Sequence, residues 1–265
     1  MSVRIETTAE QCVWVSAGVL NYKLCDRGFD CEHCPLDAAL RDHGGGCDED
    51  ESGLTLSAVE FPAWNELAPE LQPLFEPFRS LSLCDTARYS SRHVWVRQLP
   101  SGMLRLGLDA FAAALIPDDA QLVTVAHGSE LREGEAFGWV YAWNKTLPLP
   151  APVSGHVICR SGRGLESVAN LRGNPYTTGS LLTIQPTLGT MAEAPVRSAR
   201  VQRTRFQRGT RALADRLMRE ASRADLGLCL NDGGAPVHSL PEMLGQERFW
   251  KLLQQHIGGG KGPES

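Results

Sequence analysis

Phe137-Gly-Trp-Val-Tyr-Ala-Trp-Asn-Lys-Thr-Leu-Pro-Leu-Pro-Ala-Pro-Val-Ser-Gly155 sets two runs of apolar and small residues on either side of a polar Asn-Lys-Thr turn. That pattern reads as a β-hairpin. Lys145 stands near its tip, and it is the one lysine among the eight basic residues between Tyr89 and Pro186. A lysine on a rigid hairpin is a means of presenting an amine for attachment of a swinging prosthetic arm. Gly138 and Gly155 suit bends or close backbone approach, and Pro148, Pro150 and Pro152 each remove a ladder donor. The second strand of the hairpin is therefore expected at a sheet edge.

Outward from the hairpin, short apolar runs at residues 93–97, 104–108, 121–126, 156–159 and 180–184 alternate with Gly, Pro and Asn turns, as in a mainly β domain over residues 85–188. Asp109 is the expected N-cap of a short helix over Ala110–Leu115, ended by Pro117. Residues 51–84 read as a connector in which four prolines limit any long helix. Residues 189–265 read as a helical extension, with helices over Thr210–Ala224 and Glu242–His256 and a disordered tail after Gly258-Gly-Gly.

The landmarks of residues 89–186 carry a family resemblance. Tyr89-Ser-Ser-Arg-His-Val-Trp-Val96, Leu106-Gly-Leu-Asp-Ala-Phe-Ala112, Gly134-Glu-Ala-Phe-Gly138, Ala151-Pro-Val-Ser-Gly155 and Asn174-Pro-Tyr-Thr-Thr-Gly-Ser-Leu-Leu182 follow one another as in the H protein of the glycine cleavage system, which they resemble. The resemblance implies a barrel-sandwich hybrid fold and a lipoyl carrier with its modified lysine on an exposed turn. It also implies protein partners within a multi-enzyme system. This chain departs from the family's "Glu-Ser-x-Lys-Ala" context, reading Tyr141-Ala-Trp-Asn-Lys-Thr instead. Counting back without a gap from Ala151-Pro-Val-Ser-Gly155, the modified position falls on Asn144; a one-residue deletion within 146–150 would restore Lys145. Two readings follow: an H-like domain that has lost its arm, and a true carrier with lipoate on Lys145.

Cys12, Cys25, Cys31 and Cys34 form Cys-x12-Cys-x5-Cys-x2-Cys within a module spanning residues 1–50. Residues 12–25 read as a hairpin turning near Gly18, which makes Cys12 and Cys25 cross-strand neighbours, and Pro35 is apt as the first residue of a helix. Four sulfurs so placed are expected to bind a metal, as zinc or as an iron–sulfur cluster. The competing reading is a redox enzyme using the dithiol Cys31/Cys34. His33, His43 and Cys47 are spare ligand candidates, whereas Cys84, Cys159 and Cys229 stand apart and read as structural.

Composition bounds these readings. The chain has 265 residues, 42% of them hydrophobic, enough for one large domain or two small ones. It contains no run of the roughly 20 apolar residues that span a membrane and no recognisable signal peptide, so a cytoplasmic location with reduced thiols is expected. The net charge of -5 conceals an acidic stretch over residues 26–60 and nine arginines over residues 197–223. With Phe206 the only aromatic interleaved among those arginines, a solvated helix face is expected rather than a nucleic-acid surface. No Ser-His-Asp or paired-carboxylate pattern points to catalysis, and the expected role is a non-catalytic carrier or adaptor.

Overall fold

The computed structural model describes residues 11–16, 25, 27–41, 53–69, 71–160, 165–166, 168–223 and 239–258. Two short helices come first, α1 (Val13–Ser16) and α2 (Pro35–Arg41), followed by β1 (Leu56–Glu60), α3 (Gln72–Phe75), β2 (Ser80–Cys84), β3 (Arg88–Ser90), β4 (Val94–Gln98) and β5 (Leu104–Leu108). Next are α4 (Ala110–Leu115), β6 (Gln121–Thr124), β7 (Glu130–Leu131), β8 (Ala136–Ala142), β9 (Lys145–Pro150), β10 (Gly155–Arg160), β11 (Leu165–Glu166) and α5 (Val168–Gly173). The chain continues through β12 (Leu182–Pro186), α6 (Thr190–Glu193), β13 (Val196–Ser198), α7 (Ala199–Arg223), α8 (Leu240–Leu244) and α9 (Gln246–His256).

The strands form an antiparallel, mainly β architecture of the barrel-sandwich type. One sheet runs β13-β3-β4-β5-β12-β10-β7, a second runs β11-β6-β8-β9, and β1 pairs with β2. β9 lies at the edge of the second sheet, where Pro148 and Pro150 leave no ladder donor unmet. β5 is buried along its whole length, as expected of a central strand covered on both sides. Tight approach fixes the register of β10: a Cβ on Gly155 would overlap the Gln185 carbonyl oxygen. Gly138 is similarly constrained, since a Cβ there would stand 2.8 Å from the Val123 carbonyl oxygen.

The segment between residues 56 and 84 does not stand apart from the rest. Val59, Phe61, Phe75 and Phe78 belong to the same buried cluster as Leu106, Phe137, Leu217 and Leu253. Phe78 meets Phe111 of α4 edge-on, with ring centroids 5.6 Å apart. α7 starts about three turns earlier than its apolar spacing predicts, because Gln202 and Thr210 occupy buried positions on the same face as Phe206, Leu213 and Leu217. Its arginines tie the helix down. Arg203 donates to the Ala58 carbonyl at 2.7 Å, and Arg205 donates to the carbonyls of Ser90 and Ser91 at 3.0 Å each. The single helix expected over residues 242–256 is two, broken at Gly245, whose φ of 76° ends α8. The hairpin expected over residues 12–25 is corrected too: residues 13–16 are helical, because a β-prone Val-Trp-Val run of this length does not outweigh its packing against β6 and β8.

Asp109 joins the parts. Its side chain is fully buried and caps α4 by accepting from the Ala112 N–H at 3.0 Å. The same carboxylate meets His93 Nδ1 at 2.9 Å and accepts from Gln202 Nε2 of α7 at 2.7 Å. His93 has a φ of 61°, and its ring stacks on Phe111 at 4.8 Å. Replacing Asp109 with Ala removes the cap and strands two buried polar groups. A loss of about 2–4 kcal/mol in unfolding free energy is expected from chemical denaturation, and a smaller loss for Asp109→Asn, which keeps an acceptor.

Candidate functional site

The β8–β9 hairpin turns through Trp143 and Asn144, both left-handed with φ of 48° and 63°. That is the two-residue turn whose twist matches the flanking strands. Asn accepts the conformation readily, whereas Trp pays about 1 kcal/mol for it. Trp143 is held there by two contacts: its indole N–H donates to Asp119 at 3.0 Å, and its ring meets Phe249 of α9 edge-on at 5.9 Å. Lys145 is therefore not at the tip. It opens β9 opposite Ala142, and its Nζ lies 2.6 Å from Glu247 Oε1 of α9. Lys145 Nζ, as hydrogen-bond donor and positive charge, pulls the Glu247 carboxyl below its usual range. The side chain of Lys145 is only 26% exposed. Gly258 continues this cover, because a Cβ there would stand 2.6 Å from Leu147 of β9.

Beside the tip is a cleft of about 530 Å³ lined by Pro73, Phe78, Ile116, Trp143, Arg172 and Phe249. Arg172 is already bonded to the Ala113 and Ile116 carbonyls and to Asp118.

The cover is anchored to the buried network described above. His256 of α9 lies 5.4 Å from Phe111 and 6.0 Å from His93, centroid to centroid. Arg92 donates to the Gln255 carbonyl at 2.9 Å. Burial first, then the positive environment of His93, Arg205 and Arg216, pushes the pKa of His256 down to about 4. Glu247, Trp143 and His256 were not singled out by sequence. Only the Trp in a turn position that disfavours it carried a signal.

The four module cysteines are brought to one place. Cys12, Cys25, Cys31 and Cys34 line a single pocket together with Trp14, Arg27, Phe29, Asp30 and Asp37. The Phe29 N–H donates to Cys25 Sγ at 3.2 Å, made possible by the left-handed Gly28 and Phe29. Pro35 opens α2, as its position after Cys34 suggests. Trp14 Nε1 donates to Asp37 at 2.9 Å and ties α1 to α2. Among the described residues, however, no three His, Cys, Asp or Glu side chains are gathered at metal-binding geometry. Desolvation, then Asp37 and the neighbouring thiols, raise the Cys31 pKa, which weighs against a reactive dithiol at Cys31/Cys34. His33 turns outward to Asp30 at 2.9 Å with a 78% exposed side chain. His43 and Cys47 lie outside the described residues.

Cys84 is buried and free, as an isolated structural thiol should be. Cys159 is disulfide-bonded, which corrects the expectation of an isolated, reduced residue: its place in sequence says nothing of which thiol the fold brings near. Cys229 lies outside the described residues.

Residues 87–202 match the glycine cleavage H-protein family. The glycine cleavage system H protein of Chlorobium phaeobacteroides is 31% identical over 100 residues, covering 38% of this chain and 79% of that protein. That of Rippkaea orientalis is 34% identical over 101 residues, covering 38% and 76%. The chain belongs to the glycine cleavage H-protein family. A crystal structure of the H protein from Mycobacterium marinum aligns over 39% of this chain and 85% of that one, at 25% identity and a TM-score of 0.35. The H-protein match ends at residue 202, so the rest of α7, α8 and α9, including the helix that covers the hairpin, lie beyond it. No helix among the described residues is long and apolar enough to cross a membrane.

The anchoring of α9 has a pH signature. Below the ordinary His value of 6.5 the unfolded chain takes up a proton at residue 256, which the folded chain refuses until pH nears 4. Stability therefore falls as pH drops from 6.5 to about 4 and this contribution levels off below that. Denaturation at pH 7 and pH 4.5 is expected to show a drop that is smaller by about 2 kcal/mol in His256→Gln.

Proposed function

We propose that this chain is an H-protein-type adaptor that has lost its lipoyl arm, works through protein–protein contact rather than catalysis, and carries a metal on Cys12, Cys25, Cys31 and Cys34. The division of labour follows the chain: a metal module over residues 1–50, a segment over 51–84 that shares the main core, an H-type docking domain over 85–188 and a helical extension over 189–265. Its partners are proteins of a multi-enzyme system, by analogy with the glycine cleavage H proteins it resembles.

One observation carries the armless reading. The tip positions are Trp143 and Asn144, while the hairpin's own amine, Lys145 Nζ, is paired with Glu247 of α9 at 2.6 Å. A lipoyl ligase must neutralise the amine and reach it from solvent, and an arm must swing freely from its pivot. The Lys145 side chain is 26% exposed and its ammonium is engaged by Glu247, which competes with both needs. Asn144, at the position that a gap-free count assigns to the modified residue, has an amide nitrogen too weakly nucleophilic to be acylated in its place.

The competing reading, lipoate on Lys145, is decided by the same experiment. The intact mass of the chain from cells that demonstrably lipoylate another substrate is expected to equal the unmodified value for the wild type, with Glu247→Ala measured beside it to free the amine. A lipoyl-sized increment in the wild type, absent from Lys145→Arg, would overturn the armless reading. An increment in Glu247→Ala alone would identify the ion pair as what blocks modification.

A further inference from the structure

We propose that the outward face of α7 docks a carboxylate-rich surface of a partner protein through a line of arginines. This rests on the protein-contact reading above and gives it a surface and a partner chemistry.

The arginines of α7 divide by what they do. Arg203 and Arg205 donate to backbone carbonyls of the β domain, and Arg211 donates to Glu66 at 2.9 Å on the surface. Arg200, Arg208 and Arg219 are exposed and make no hydrogen bond or ion pair with another described residue. At about 3.6 residues per turn, Arg200, Arg208, Arg211 and Arg219 fall within about 100° of the helix circumference and extend along about 28 Å of its length. Gln202, Phe206, Leu213 and Leu217 are buried on the other side, so the line faces away from the core.

These charges do nothing for the helix that carries them. The first turn of α7 has no acidic residue, and Arg200 stands in that turn, where the helix dipole disfavours a cation. Arg208 and Arg211, three residues apart, repel each other. Asp215 is the only acidic residue between Ala199 and Arg219, although the whole chain carries a net charge of -5. An acidic surface laid on this face offsets both costs.

The fork of a guanidinium matches a carboxylate or a phosphate through two parallel hydrogen bonds. The rest of the face favours a protein over a nucleic acid. A nucleic-acid track needs aromatic rings for stacking, and Phe206, the only aromatic residue of α7, is fully buried. Exposed among the arginines are Val201, at 41%, and Ala212 instead, which offer the apolar contact that accompanies arginine in protein interfaces. Asp215 in the same arc is met by a basic side chain, which a protein surface supplies and a phosphate backbone does not.

The test uses the full chain and the fluorescence anisotropy of a labelled, alanine-based helical peptide with glutamates one turn apart. Its glutamine counterpart is the control. The glutamate peptide is expected to bind and to weaken about tenfold from low to high salt, and the glutamine peptide is expected not to bind. R200E/R208E/R219E should abolish binding, and R200K/R208K/R219K, which keeps the charge without the fork, should retain part of it. The charge-reversed chain is expected to melt no lower than the wild type, because a carboxylate suits the first turn of a helix. If it does not fold, Arg208→Glu alone is read in its place. No binding at low salt, binding that the reversal leaves unchanged, or tighter binding of single-stranded or duplex DNA than of the peptide would each overturn the proposal. So would salt-sensitive self-association of the chain that the reversal abolishes, since that assigns the face to a second copy. None of these results depends on the mass of residue 145, so the armless reading stands or falls separately.

Discussion

A buried carboxylate must have its lone pairs filled, and the way Asp109 fills them organises this molecule. With no exposure to water, it takes one hydrogen bond from the first turn of α4, one contact from the imidazole at the mouth of β4 and one from the amide of Gln202 on α7. These three partners come from a helix inserted in the sheet, from the sheet itself and from the extension that follows it. Each is a polar group that burial alone would penalise, and each finds a partner in the same carboxylate. The extension is thus integral to the β domain, and α9 inherits its position by resting His256 on the same aromatic patch.

That position determines what the hairpin can do. In a chain of this family the hairpin is the natural place to look for function, yet its amine is occupied and its tip carries an indole in contact with Phe249. The hairpin and α9 together form one composite of the family domain and a segment beyond it. Fold membership alone would have suggested a bare pivot. The chemistry of the individual residues argues for a different use of the same framework.

Much of this was legible in the residues. The apolar run at residues 104–108 gave its strand without error, Asp109 announced its helix, and the prolines at 148 and 150 correctly placed β9 at an edge. These features depend on neighbours close in sequence. What the sequence hid depends on distant ones. Lys145 and Glu247 are 102 residues apart. α7 begins well before its apolar periodicity does, because buried Gln202 and Thr210 break the pattern while finding polar partners elsewhere. The arginines of that helix read as a solvated face, yet Arg203 and Arg205 spend their donors on backbone carbonyls of β1 and the β3–β4 turn. The four cysteines line one pocket, although residues 13–16 of the hairpin expected to join two of them are a short helix. Convergence depended on the turns around Gly28 and Pro35 more than on strand pairing.

The distance between the two members of the ion pair also has a meaning in time. Glu247 enters the chain 102 residues after Lys145. At roughly 5–20 residues per second of synthesis, the hairpin spends on the order of 5–20 seconds complete but uncovered on the ribosome. The pairing of Lys145 with Glu247 can form only once the last helix has been made. The ion pair at Lys145 is therefore a late event in the making of the chain, later than the hairpin that carries it.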